Sequence, residues 1–154
     1  MRNTAGSAQL AAHFAASGAR IIASSHTCLP VALRLSRPQG DCVLFNNGAA
    51  GMPNFAGTRF GVITRIATTP AQSPAAIYGT VIGGVHVDAL AVHYDAAQWL
   101  DEFAANWPEG SAGHVSYYQR ITSGPRYGIN QAMRKGIHLN PALLRGLRVN
   151  EAVR

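Results

Sequence analysis

Residues 21–30 read "IIASSHTCLP". The stretch opens on an apolar β-branched pair and ends in a polar turn that carries His26, Cys28 and Pro30. Such a short apolar run suits a strand buried on both faces, the kind found inside α/β sheets. Residues 43–55, "VLFNNGAAGMPNF", repeat the layout: an apolar run, then asparagines, glycines and a proline.

Working outward, residues 7–17 ("SAQLAAHFAAS") predict a helix. Alanine and leucine favour it, Leu10, Ala11 and Phe14 share one face, Ser7 is placed to cap its start and Gly18 to stop it. Helix, glycine and buried strand make half of an α/β unit. "RPQGDC" is a turn, "CVLFNN" a second strand, and "RFGVITRIAT" a third. The strands at 20–24, 42–46 and 60–66 are expected side by side in one sheet, with helix 8–17 on a face.

Residues 77–95 alternate in two arms around Gly83-Gly84, a β-hairpin pattern. In the second arm Val85, Val87, Ala89 and Ala91 face one way, and His86, Asp88, Leu90 and Val92 the other. Residues 96–107 predict a helix capped by Asp95, with Trp99, Leu100 and Phe103 as its apolar stripe. "SYYQRI" (116–121) reads as a strand or a short helix, and the tail 140–154 as weak helix broken by Gly146.

The chain has 154 residues, 47% hydrophobic and 13% charged. That is too apolar for disorder and sufficient for one domain. No apolar run approaches the roughly 20 residues of a spanning helix. His13 and Arg20 interrupt any signal-like segment, so a cytoplasmic protein is expected. Two cysteines, Cys28 and Cys42, do not make a disulfide framework. The net charge is +6, carried by scattered arginines and Lys135, with a basic cluster only in the tail. A solvated surface accounts for this, and no nucleic-acid-binding motif is present.

Ligands of open α/β sheets bind at the carboxyl ends of strands, where His26 falls. Its imidazole suits a metal or a proton, with Cys28 two residues on as a second ligand; a hydrogen-bonded loop histidine is the simpler alternative. Asn46-Asn47-Gly48 ends the next strand. Asparagine and glycine build turns with no function at all, and they also make backbone cradles for anions. His13, His86, His93, His114 and His138 are scattered and read as structural.

"ASSHTCLP" followed by "VLFNNGAAGMPNFAG" resembles the C-terminal half of a calcineurin-like metallophosphoesterase. The likeness covers about residues 8–66. It implies a single domain over 1–154, with residues 1–66 as core match and 67–154 as C-terminal extension. The implied fold is an α/β/β/α sandwich with a mixed β-sheet. The implied chemistry is phosphoester hydrolysis at two divalent ions, manganese, iron or zinc. His26 would be a metal ligand, with Cys28 in place of a second ligating histidine. Asn46 and Asn47 would line the substrate pocket.

The family's N-terminal motifs (Asp-x-His, Gly-Asp-x-x-Asp, Gly-Asn-His-Asp/Glu) do not occur in this sequence. The expectation is therefore the back half of such an enzyme, binding metal weakly and inactive without an N-terminal half. The alternatives are a non-catalytic α/β partner-binding module, or a basic phosphate- or nucleic-acid-binding module.

Overall fold

The computed structural model describes residues 8–140. The Ser7 cap and the tail beyond residue 140 lie outside the described residues. The fold is α/β with two sheets, one of them mixed.

Helix α1 spans Ala8–Ser17 and buries Leu10 and Phe14, as their spacing predicts. Strand β1 (Ile21–Ser24) pairs in parallel with β3 (Cys42–Asn46), so the two turns that end them emerge at the same edge. Between them lies β2 (Val31–Leu35), which the sequence reading did not predict. It runs antiparallel to β3 through a short turn, so the first sheet has the order β1-β3-β2. Asp41 takes hydrogen bonds from both Nε and Nη2 of Arg34, which steadies this hairpin.

Strand β4 (Gly61–Ala67) departs from expectation. It does not join β1 and β3; it pairs with β6 (Val85–Val92) in a second sheet. That sheet has the order β4-β6-β5-β7, with β5 at Ala76–Ile82 and β7 at His138–Leu139. The physical reason is the crossing at Gly61. The chain passes so close to the preceding loop that a Cβ there would lie 1.5 Å from the Ala50 carbonyl oxygen. The Val62 amide donates to the Ala49 carbonyl at 3.0 Å, which fixes that crossing and turns the strand away from β3.

The two faces of each strand explain the layers. Val43 and Phe45 of β3 point into a shared core with Val62, Ile77, Tyr78, Val87 and Ala89 of the second sheet. The Phe45 and Tyr78 rings meet at 5.8 Å between centroids. Cys42 and Leu44 of the same strand point the other way, where Cys42 joins Leu33, Leu10 and Phe14 in a second cluster under α1. Each fully buried aromatic or branched side chain contributes about 1.5–3 kcal/mol of transfer free energy, so this double-sided burial anchors β3. In β6, Val87 and Ala89 face the core while Asp88 pairs with Arg65 at 3.0 Å, as the alternation predicts.

Helix α2 covers Ala96–Asn106, and the Asp95 carboxylate accepts from the Ala97 and Gln98 amides at 3.0 Å each. Residues 116–121 belong to helix α3 (Ala112–Ser123), capped by Ser111. A short α4 (Ile129–Ala132) places Ala132 in the shared core. Among the described residues no helix is long and apolar enough to cross a membrane.

Candidate functional site

Because β1 and β3 run in parallel with Ser24 opposite Asn46, the turn after β1 meets the loop after β3. The His26 amide donates to the Gly48 carbonyl at 2.9 Å, and the Asn47 amide to the Ser24 carbonyl at 3.1 Å. Both His26 (φ 77°) and Cys28 (φ 62°) occupy the left-handed region. That conformation costs roughly 1–2 kcal/mol per residue outside glycine and persists only where surroundings impose it.

The surroundings are side-chain amides. Asn46 Oδ1 accepts from the Gly48 amide at 2.8 Å and from Thr27 Oγ1 at 2.9 Å, while its Nδ2 donates to Ser24 Oγ at 3.0 Å. Asn47 Nδ2 donates to the Val62 carbonyl at 2.6 Å. Asn54, fully buried, donates to the carbonyls of Ala49 and Met52 and accepts from the Ala49 amide. Gly48 has no alternative residue: at φ 74°, a Cβ would sit 2.4 Å from Asn54 Oδ1. Asn46 and Asn47, expected from the sequence to line a substrate pocket, are 5% and 8% exposed, and the bonds above engage their amide groups with the loops.

Three residues absent from the sequence reading close the site. Arg120 of α3 donates through Nη2 to the Cys28 carbonyl and, at 3.1 Å, to the Pro53 carbonyl; its Nε is buried without a partner. Tyr127 OH donates to the Pro30 carbonyl at 2.8 Å. Asn54 is the third, as above. Nothing local in "SYYQRITSGP" marks Arg120, which acts 92 positions away from Cys28.

On this rigid platform the His26 side chain is exposed and the Cys28 thiol is free and half-buried. Among the described residues no three histidine, cysteine or acidic side chains gather where they would hold an ion. His26 and Cys28 are two donors, whereas structural zinc takes four ligands and two-metal sites more. The described residues therefore do not fit a resident two-metal centre. Cys42, the other thiol, is fully buried under α1. Elsewhere, His93 packs on Phe60 at 5.5 Å and His114 stacks on Tyr118 at 4.6 Å. His86 and His138 border a cavity of about 580 Å³, of mixed polar and apolar lining, beside the Arg65–Asp88 pair.

Comparison with protein-family models, curated proteins and solved structures finds no match to this chain. Nothing in these comparisons links the chain to calcineurin-like phosphoesterases.

Proposed function

We propose that this chain supplies the strand-end half-site of a metal-dependent phosphoesterase and does not complete a catalytic centre by itself. The observation that carries the reading is the 2.9 Å bond from the His26 amide to the Gly48 carbonyl. It brings both motif turns to the carboxyl edge of two parallel strands, where α/β sheets bind ligands. The arrangement α1, mixed sheet, second sheet also suits three of the four layers of an α/β/β/α sandwich.

Within this reading the chain's residues present and orient. The left-handed turn displays the His26 imidazole, and Asn46 fixes that turn from below. Arg120 draws the loop after β3 against it. Divalent ions, if held here, would polarise a phosphoryl oxygen and acidify water; His26 and Cys28 would supply two of the donors they need. A second reading is a non-catalytic module for phosphate-bearing partners. It is favoured by the net charge of +6, since a basic chain attracts phosphate-bearing partners.

Release of nitrophenol from bis(p-nitrophenyl) phosphate with manganese tests the reading. The chain alone should stay at background. Addition of a polypeptide bearing the N-terminal motifs should restore turnover, and His26→Ala should then remove most of it. Robust turnover by the chain alone, lost on His26→Ala, would show that the site is complete and overturn the half-site reading.

A further inference from the structure

The outer face of the second sheet carries one row of residues across all four strands. Arg65 on β4 stands opposite Asp88 on β6, Asp88 opposite Gly79 on β5, and Gly79 opposite His138 on β7. His86 lies two residues before Asp88, on the same face because side chains alternate along a strand. Asp88, His86, Gly79 and His138 all border the cavity of about 580 Å³.

The Asp88 side chain is 10% exposed, and its bond to Arg65 at 3.0 Å engages Oδ2 alone. Oδ1 has no hydrogen-bond partner among the described residues and is not sealed from the cavity. Buried polar groups are nearly always paired, so an open oxygen on a buried carboxylate points to a donor brought from outside. Gly79 leaves room for that donor, since a Cβ there would lie 2.5 Å from Asp88 Oδ1. No positive φ requires glycine at this position, so the missing side chain itself is what matters.

The surrounding chemistry selects the ligand. Arg65 already balances the charge of Asp88, so a cation gains little at Oδ1, and the bare oxygen repels an anion. A neutral donor remains. The imidazoles of His86 and His138 have no hydrogen-bond partner among the described residues. A neutral imidazole offers one donor and one acceptor, which a hydroxyl group matches on both counts. Pro70, Val81 and Leu139 add apolar wall for the C–H face of a ring. The volume lies in the range of pockets that enclose small ligands, roughly 300–1,000 Å³.

We propose that this cavity binds a monosaccharide in its ring form, with one hydroxyl donating to Asp88 Oδ1 and others bonded to His86 and His138. The site shares no residue with the strand-end turns and does not rest on the phosphoester reading.

Calorimetric titration of the full chain with D-glucose, D-galactose and D-ribose tests the proposal, with methylammonium chloride and sodium phosphate as parallel arms. At least one sugar should bind saturably, with a dissociation constant on the order of 1 mM. His86→Leu and His138→Leu keep the bulk and remove the ring nitrogens, so each should weaken that sugar about tenfold. The melting temperature should hold in both, because neither ring carries a hydrogen bond to the described residues. Asp88→Asn should weaken the sugar at least as much; if that variant fails to fold, the two histidine variants decide alone. No saturable heat from any of the three sugars at tens of millimolar overturns the proposal, as does unchanged affinity in both histidine variants. Saturable binding of methylammonium or phosphate without sugar binding overturns it too, since the site would then read charge.

Discussion

The His26 amide hydrogen-bonds to the Gly48 carbonyl across the ends of two parallel strands, with His26 at φ 77° and Gly48 at φ 74°. Two left-handed residues thus face each other at one sheet edge, and only one of them is glycine. The strain at His26 is held by bonds rather than by packing, which makes it separable by substitution.

His26→Gly relieves that strain but adds freedom to the unfolded chain, so its net effect should stay within about 1 kcal/mol. His26→Val, a β-branched residue in the same conformation, should cost at least about 1 kcal/mol more than the glycine variant. Urea unfolding of the two variants gives the comparison. Equal stability would show that the turn relaxes easily and that residue 26 is not held there.

Asn46→Ala removes the partner of the Gly48 amide and of Ser24 Oγ at once, while Thr27 Oγ1 keeps its bond to the Leu29 carbonyl. A loss of about 2–3 kcal/mol is expected, or roughly 4–12 °C in melting temperature for a domain of this size. Asn46→Asp keeps the acceptors and loses the donor to Ser24, so it should fall between alanine and wild type. Thermal scans at neutral pH decide the order.

Arg120→Leu should loosen the strand-end loops without touching the sheets, because its guanidinium bridges the Cys28 and Pro53 carbonyls. Hydrogen exchange at the His26 and Asn47 amides should accelerate by about tenfold or more, while exchange in β6 stays unchanged. Arg120→Lys should not restore protection, since an ammonium lacks the planar fork. Equal acceleration throughout the protein would mean that Arg120 supports global stability instead.

Tyr78 OH is buried without a partner, and burial pushes its phenol up, with a smaller push from Tyr127. Burial likewise raises Tyr94 and Tyr127. A group whose folded pKa lies above its unfolded value holds its proton more tightly when folded. Its contribution is therefore complete below about pH 10, the unfolded tyrosine value, and is lost as pH rises towards the folded value. Stability should be flat from neutral pH to about pH 10 and then fall. Tyr78→Phe should make that alkaline fall shallower and, by deleting an unpaired hydroxyl, add about 1 kcal/mol at pH 7. Circular dichroism melts from pH 7 upward test both statements, and a destabilised Tyr78→Phe at pH 7 would show that the hydroxyl is satisfied.

What the sequence determined by itself is local. The apolar spacing of Leu10 and Phe14 set α1, and the Asp95 side chain set the start of α2. Gly83-Gly84, both at positive φ, set the β5–β6 turn, and alternation set the faces of β6. The strands β1 and β3 and their polar turns were legible too, because an apolar run and a turn residue act within a few positions.

The tertiary structure decided which elements meet. Strand β2 escaped notice because "VALRL" shows no clean alternation and draws its order from β3 and the Arg34–Asp41 bond. Strand β4 went to the second sheet because Gly61 crosses beneath Ala50 and β6 offers the matching apolar face, a choice made between residues far apart in sequence. The candidate site was divided in the same way. His26, Cys28, Asn46 and Asn47 could be picked out from their strand ends. Arg120, Tyr127 and Asn54 could not, since periodicity reports which face a residue shows to its neighbours and carries no information about a partner 92 positions away.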